Sequence, residues 1–219
     1  EDADETPERS GWPTHGLYDS QLPGTDAREK VLALRGSWSS DRIPLGYLLD
    51  VEEMMRIFLT GGTGFVGKAV IHALQAHGVL VRCLVRPGSE ADLKGFEAID
   101  RVPGDVLIPK GIAEAMQGCR AVIHLVGIIR EHRASGIVFE RLHSQATANI
   151  VAATQEAGVH RYLQMSALGV RPNARSRYHR TKWDAEECVR RSGLDWTIFR
   201  PSVIYGRGDG SVSLLAGMI

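Results

Sequence analysis

A glycine-rich turn between an apolar strand pattern and a helical pattern is the feature that most constrains the fold. Residues 56–60 form an apolar run typical of a buried β-strand, and apolar residues at helical spacing begin at Phe65. Between them Gly61 supplies a turn conformation that side chains disfavour, Gly64 leaves room for a pyrophosphate, and Gly67 lets the helix pack against the strand. Because the amino terminus of a helix attracts anions, this turn predicts a phosphate-binding site.

Short apolar runs alternate with helical patterns along the rest of the chain. We expect strands at 56–60, 79–85, 97–102, 121–126, 162–165 and 196–200. Helices are predicted at 65–74, 111–116, 139–157 and 178–191. Such alternation is typical of parallel strands joined by right-handed crossovers. The predicted fold class is therefore α/β, a doubly wound parallel sheet with helices on both faces.

The net charge of zero conceals an asymmetry between two parts of the chain. Residues 1–53 hold 12 acidic and five basic residues, whereas residues 54–219 hold 14 acidic and 21 basic residues. The first part is rich in Pro, Gly, Ser and Asp, so we predict a disordered acidic leader with a short helix near 27–34. It is either upstream sequence read through in frame or a solvated tail that touches a partner. The predicted nucleotide-binding domain covers residues 54–219.

Cysteine usage and hydropathy exclude several classes of protein. Cys83, Cys119 and Cys188 have neither metal-ligand nor redox spacing, which favours a reducing cytosol. No apolar stretch approaches the ~20 residues that span a bilayer, so no transmembrane segment is predicted. The histidines show no metal-like spacing, and no metal site is predicted. We expect a cytoplasmic protein, with peripheral association at the inner face of a membrane as an open alternative.

The residue at the end of the second strand predicts which nicotinamide dinucleotide is bound. A carboxylate there would hydrogen-bond the ribose 2′-hydroxyl of NAD, whereas an arginine suits the 2′-phosphate of NADP. The sequence has Arg86 at this point, with Arg82 earlier in the strand and no nearby Asp. We therefore favour NADP, with NAD and a merely solvated Arg86 as alternatives.

Tyr178 and Lys182 lie four residues apart and share one face of a predicted helix. A phenol is a poor acid–base at neutral pH, but a lysine cation and a positively charged nicotinamide would lower the pKa of Tyr178. Ser166 stands at the carboxyl end of a strand, where ligands gather in such sheets, and would hydrogen-bond a substrate oxygen.

These motifs together resemble the short-chain dehydrogenase/reductase superfamily in its extended and atypical branch, which includes NAD-dependent epimerases and dehydratases. The resemblance rests on residues 60–67, 104–105, 124–127, 166, 178–182 and 200–202. Residues 165–169, 178–187 and 200–209 are similar to bacterial relatives of the NADPH-binding accessory subunit of respiratory complex I. The resemblance to the superfamily implies a Rossmann-type fold. It also implies a substrate-covering lobe at the carboxyl end, and we expect this lobe to be truncated here.

The motifs and the resemblance together define a predicted site. The expected cofactor contacts are Thr60, Gly61, Thr63, Gly64, Phe65, Val66, Gly67, Arg86, Asp105, Val106, Val126, Gly127, Tyr178, Lys182, Pro201 and Val203. The resemblance implies that Ser166, Tyr178 and Lys182 form a catalytic triad.

Three functions remain open. The first is hydride transfer between NADP(H) and a carbonyl or alcohol substrate, with Tyr178 as the acid–base. The second is a non-catalytic nucleotide-binding accessory subunit or assembly factor of a complex I type assembly, and the third is a nucleotide-sugar epimerase or dehydratase. The arginines around Tyr178 are a solvated face or a surface for an anionic substrate, a partner subunit or an anionic membrane, and no nucleic-acid motif accompanies them.

Overall fold

A computed structural model describes residues 55–96 and 98–206 and contains a six-stranded parallel sheet. The strands are β1 (Arg56–Thr60), β2 (Leu80–Val85), β3 (Asp100–Pro103), β4 (Ala121–His124), β5 (Arg161–Met165) and β6 (Asp195–Phe199). They lie in the order β3-β2-β1-β4-β5-β6, so the direction of the crossovers reverses between β1 and β4. The predicted doubly wound, Rossmann-type sheet is confirmed.

Helices cover the sheet between successive strands. They are α1 (Phe65–Ala76), α2 (Ile112–Met116), α3 (Ala146–Glu156) and α4 (Arg177–Arg190), with 3-10 turns at Glu90–Leu93 and Arg133–Ser135. The long helix predicted at 139–157 is divided, because a π-helix at Glu140–Gln145 precedes α3. Wider turns of this kind often accompany functional sites.

The two faces of the sheet are buried by different helices. Phe58 and Leu59 are adjacent on β1 and fully buried, and they belong to separate apolar clusters. The cluster of Phe58 includes Ile150 of α3 and Val189 of α4, whereas that of Leu59 includes Ile71 of α1. Successive residues of a strand point to opposite faces, so a strand covered on both sides is apolar at every position.

The register of the central strands determines where the site lies. Thr60 pairs with His124, and both strands end at this pair. β4 is shorter than the predicted 121–126, because β1 turns away at Gly61 and the last hydrogen bond between the two segments runs from the N–H of Leu125 to the carbonyl oxygen of Thr60. β3 begins at Asp100, the partner of Arg82, rather than at residue 97. The predictions for residues 1–53 and for a lobe after residue 206 lie outside the described residues.

Candidate functional site

The glycine turn joins β1 to α1 and leaves space for a side chain on one side only. Gly61 has a φ of +79°, and a Cβ there would lie 3.0 Å from the backbone of Leu125. A Cβ at Gly67 would overlap the carbonyl oxygen of Gly61 and lie 2.6 Å from Cα of Gly62. Gly64, in contrast, is exposed, and its Cβ would meet only the Gly61 oxygen at 3.4 Å. The open side at Gly64 fits the predicted approach of a pyrophosphate.

The amino terminus of α1 faces the same opening. Gly64 is the N-cap residue, its backbone is extended, and no side chain caps the first turn. The first N–H groups of a helix have no partner within the helix, and the helix dipole adds positive potential there. Gly62 was not predicted as a site residue, yet its Cβ would overlap Sγ of Cys83 on β2. Spacing along the sequence carries no signal for this contact, because Cys83 comes from the neighbouring strand.

A cavity of about 420 Å³ opens at the carboxyl ends of the central strands, next to this turn. This is the crevice where open α/β sheets bind ligands, at the point where the crossovers reverse. Eight predicted cofactor residues line it: Gly61, Thr63, Gly64, Arg86, Asp105, Val106, Val126 and Gly127.

One wall of the cavity was missed by sequence reasoning. It is formed by the irregular segment after β4 and by the π-helix, with Ile128, Ser135 and Arg141 among its residues. His132 and Ile137 pair in an antiparallel bridge that folds this segment back on itself. Such a loop has neither strand nor helix periodicity, so a sequence pattern does not reveal its place at the cavity.

Eight other predicted cofactor residues do not line the cavity, among them Gly67 in the turn and Tyr178 and Lys182 on α4. Thr60 is fully buried, and its Oγ1 lies 2.6 Å from Nδ1 of His124. The others are Phe65, Val66, Pro201 and Val203. Phe65 and Val66 are half-buried at the start of α1, and Val203 is 74% exposed after β6. Contact between these residues and a nucleotide stays a prediction.

Tyr178 and Lys182 lie on α4, beside the cavity wall. Nζ of Lys182 lies 2.8 Å from the position that a Cβ on Gly127 would take, and it donates to the carbonyl oxygen of Met165 at 3.0 Å. Burial lowers the pKa of Lys182 to about 8, and the charge of Glu186 opposes this change. Burial raises the pKa of Tyr178. The lowered phenol pKa expected from Lys182 is therefore not found in the chain alone.

His143 connects Tyr178 to the cavity wall and was not predicted as a site residue. Its ring meets the Tyr178 ring edge-on, with 5.2 Å between centroids. Its Nδ1 lies 2.9 Å from Oγ1 of Thr181, and its Nε2 lies 3.1 Å from the carbonyl oxygen of Ile128. Burial is the main cause that lowers the pKa of His143 to about 3. A neutral imidazole thus joins the π-helix, the segment after β4 and α4.

The hydroxyl of Ser166 is engaged in a hydrogen bond within the fold. The residue is 4% exposed, and its hydroxyl donates to Oε1 of Glu186 at 2.5 Å. A serine hydroxyl has one hydrogen, so in this arrangement Ser166 has none left for a substrate oxygen. Contact between Ser166 and a substrate oxygen stays a prediction. Glu186, which the sequence analysis did not single out, is the partner that Ser166 holds.

Arg82 on β2 and Arg86 directly after it have different surroundings. Nε of Arg82 lies 2.5 Å from Oδ2 of Asp100, and its Nη1 donates to the carbonyl oxygens of Ala115 and Gln117. Arg86 is exposed and lines the cavity. Arg82 is thus engaged within the fold, and Arg86 is the candidate for a nucleotide phosphate.

His124 is a buried polar residue beneath the same region. Its Nε2 is the only buried side-chain nitrogen or oxygen without a hydrogen-bond partner in the part of the chain that the structure describes. Burial, followed by the charges of Lys182 and His143, lowers the pKa of His124 to about 3. The imidazole is therefore neutral at physiological pH.

The residues that the structure describes contain neither a metal-ligand cluster nor a helix suited to span a membrane. No group of three or more His, Cys, Asp or Glu side chains within residues 55–96 and 98–206 could hold a metal ion. No described helix combines the length and the apolar character needed to cross a bilayer. Cys83 and Cys119 are buried free thiols, and Cys188 is a half-buried one.

The chain was compared with known families and proteins. A family model described as NAD(P)H-binding matches residues 61–216. The ceramide reductase of Caulobacter vibrioides is 30% identical over 153 residues, which cover 70% of this chain and 47% of that protein. The mitochondrial NADH dehydrogenase (ubiquinone) 1 alpha subcomplex subunit 9 of Mus musculus is 32% identical over 154 residues, or 68% of this chain and 40% of that protein. The chain thus spans about half or less of the length of these relatives.

A solved structure has the same fold. The enzyme WbmH of Bordetella bronchiseptica, in complex with NAD+, aligns with a TM-score of 0.63 and 21% sequence identity. The alignment covers 75% of this chain and 64% of that one. At 21% identity this likeness shows a shared fold and nothing more specific.

Proposed function

Because this chain belongs to the NAD(P)H-binding family of short-chain dehydrogenase/reductase and epimerase-like proteins, as its motifs predicted, we propose that it reduces a carbonyl group with NADPH. The observation that carries the proposal is the proximity of Lys182 to Gly127, which lines the cavity. Tyr178 lies one helical turn before Lys182 on the same face of α4. This proximity supports a position of the Tyr178 phenol beside the bound dinucleotide.

The cavity residues fit a nicotinamide dinucleotide. The open face at Gly64 and the uncapped start of α1 would hold the pyrophosphate, and Arg86 would pair with a 2′-phosphate. Val106 offers an apolar wall for the adenine, and Gly127 leaves space near Lys182. The bound cofactor would supply a hydride to the substrate carbon.

Tyr178 would donate its phenolic proton to the carbonyl oxygen, so that an alcohol and a tyrosinate result. Because burial raises the pKa of Tyr178, the phenol is protonated at neutral pH and is ready to act as an acid. Lys182 is a cation below a pKa of about 8 and would stabilise the tyrosinate. The protonated phenol is the form of Tyr178 that carbonyl reduction requires.

Exposed apolar side chains in the segments after β5 and β6 favour an apolar ketone as substrate. Leu168 after β5 is 63% exposed, and Val203 and Tyr205 after β6 are each 74% exposed. The N–H of Leu168 donates to the carbonyl oxygen of Pro201 at 2.8 Å, so the two segments lie side by side. The relative from Caulobacter vibrioides is named for reduction of a lipid, which agrees with this choice.

Tyr178→Phe is expected to lower kcat at least about 100-fold while NADPH affinity changes little, because the proton donor is lost and the cavity is not. The assay follows NADPH absorbance with methyl ketones of increasing chain length. Tyr162→Phe is the control, since it removes a buried hydroxyl that donates to Gln164 within the core. Turnover by Tyr178→Phe at the wild-type rate would refute the role of the phenol.

A non-catalytic accessory role is the second candidate. It is favoured by the 32% identity to the NADH dehydrogenase subunit and by the engagement of the Ser166 hydroxyl with Glu186. NADPH binding by the wild type without turnover of any ketone would support this role and exclude the reductase.

Arg86→Ala is expected to weaken NADPH binding by about 10- to 100-fold, as the loss of a charged hydrogen-bond partner would, and to leave NADH binding nearly unchanged. Both dissociation constants can be measured by titration of nucleotide fluorescence. Arg120→Ala is a matched control, because Arg120 is exposed and directly precedes β4, at the end of the strands opposite the cavity. An equal loss for both nucleotides would show that Arg86 does not bind the 2′-phosphate.

A further inference from the structure

Glu186 is a fully buried carboxylate that accepts four hydrogen bonds. Its Oε1 accepts from Oγ of Ser166 at 2.5 Å and from Nε of Arg200 at 2.8 Å. Its Oε2 accepts from Nη2 of Arg190 and from Nη2 of Arg200, each at 2.5 Å. An ionised carboxylate has about four acceptor positions, so all of them are used. We call Ser166, Glu186, Arg190 and Arg200 the carboxylate clamp.

The clamp contains a charged group in a place where charge is costly. Burial raises the pKa of Glu186, but the hydrogen bonds from Arg200, Ser166 and Arg190 together lower it below its ordinary value. Glu186 is therefore ionised at neutral pH. Apolar residues of similar volume often stabilise a core as well as a buried ion pair does, so stability alone is a weak reason for this arrangement.

The clamp joins three elements around the Tyr178–Lys182 pair. Ser166 follows β5, Arg200 follows β6, and Glu186 lies on α4 one turn beyond Lys182. The N–H of Ser166 donates to the carbonyl oxygen of Phe199 at 2.7 Å, which aligns the ends of β5 and β6. The face of α4 that carries the pair is thereby fixed against the two segments with the exposed apolar side chains.

Glu186 is also the acidic side chain whose charge affects the pKa of Lys182. Burial lowers the pKa of Lys182, and the charge of Glu186 opposes it. The titratable groups near Lys182 on other elements are His124 on β4 and His143 on the π-helix, both neutral with pKa values of about 3. On α4 itself, Tyr178 is neutral as well. Arg190 and Arg200 face Glu186 from the clamp.

We propose that Glu186 is a positioning residue of the site: it fixes the Tyr178–Lys182 face of α4 against the segments after β5 and β6 and places a carboxylate charge one helical turn from Lys182. This inference rests on the proposed reductase function. It also assigns Ser166 to the support of Glu186 rather than to contact with the substrate.

The first arm of the test needs no turnover. The full chain has five lysines, so a protein labelled with ¹³C-lysine gives few Cε signals, and Lys182→Met identifies the one of interest. In Glu186→Gln the titration of Lys182 is expected to move to lower pH than in the wild type. Glu187→Gln is the control, because Glu187 pairs with Arg190 and Arg191 and is not a member of the clamp. An unchanged Lys182 titration in Glu186→Gln would overturn the proposal.

The second arm measures NADPH-dependent ketone reduction across pH. Glu186→Gln is expected to lower kcat about tenfold and to shift the alkaline limb of the profile to lower pH, with little change in the KM for NADPH. Glu187→Gln is expected to follow the wild type. A lower Tm with an unshifted profile would mean that Glu186 is merely structural and would refute the proposal.

Two further variants keep the test decisive. If Glu186→Gln does not fold, Glu186→Asp retains the charge and is expected to keep the wild-type Lys182 titration with a reduced kcat; wild-type kcat would contradict the positioning role. Ser166→Ala is expected to reduce kcat less than tenfold. A loss above about 100-fold would mean that Ser166 contacts the substrate and would contradict its assignment to Glu186. If the wild type turns over no ketone, the proposed function fails, and the lysine titration alone decides the role of Glu186.

Discussion

Between pH 6 and pH 4 the chain is expected to lose about 5 kcal/mol of its free energy of unfolding to two buried histidines. The pKa values of His124 and His143 are lowered from 6.5 to about 3, mainly by burial. The unfolded chain binds protons at these residues below pH 6.5, whereas the folded chain does not until about pH 3. The stability is therefore present above pH 6.5 and is lost as the pH falls, by up to about 1.4 kcal/mol per pH unit for each histidine.

Urea unfolding at half-unit steps from about pH 7.5 to about pH 4 measures this slope. His143→Gln is expected to destabilise the protein at neutral pH, because contacts to Thr181 and Ile128 are lost, but to halve the slope on the acid side. His160→Gln is the control, since His160 is exposed. An acid slope that persists undiminished in His143→Gln would mean that carboxylates, and not this imidazole, control the acid limb.

The fold was predictable because its signals are local. The glycine turn, the strand before it and the helix after it lie within about 20 consecutive residues, and apolar periodicity alone gave the α/β order. Gly61 and Gly67 could be assigned because their steric roles arise within the turn itself. Boundaries were less accurate where pairing decides them: β4 ends at His124 because its partner β1 ends at Thr60.

The contacts that fix Tyr178 and Lys182 could not be predicted, because they join segments that lie far apart in the sequence. His143 meets Thr181 at a separation of 38 residues, and Glu186 meets Ser166 at a separation of 20. A buried glutamate on a polar helix looks like a solvated one in the sequence. Tyr178 and Lys182 were visible through their helical spacing, but the elements that fix them became visible only in three dimensions. Ser166 shows the same limit, since its position at a strand end suggested a ligand while its hydroxyl points to Glu186.

Gly67→Ala is expected to lower the free energy of unfolding by about 3 kcal/mol and to abolish measurable NADPH binding. The added Cβ would overlap the carbonyl oxygen of Gly61 and lie 2.6 Å from Cα of Gly62, and both neighbours are backbone atoms that no rotamer change can move. Overpacking of this kind costs about 1–3 kcal/mol or more, which exceeds the gain of about 1 kcal/mol from alanine in a helix. Either α1 or the turn must shift, and the N–H groups predicted to bind phosphate would then diverge. Urea unfolding and NADPH titration measure the two effects.

Gly64→Ala, in the same turn, is expected to lower NADPH affinity without changing the stability of the fold. Its φ of −77° and ψ of 170° suit any residue, and its Cβ would meet only the Gly61 oxygen, at 3.4 Å. The free energy of unfolding should therefore stay within about 0.5 kcal/mol of the wild type. The same methyl group would occupy the open side where the pyrophosphate is proposed to approach, so NADPH affinity is expected to fall at least about tenfold. Wild-type NADPH affinity in Gly64→Ala would show that the pyrophosphate does not bind at this face. A large loss of stability would show that the turn has no open side.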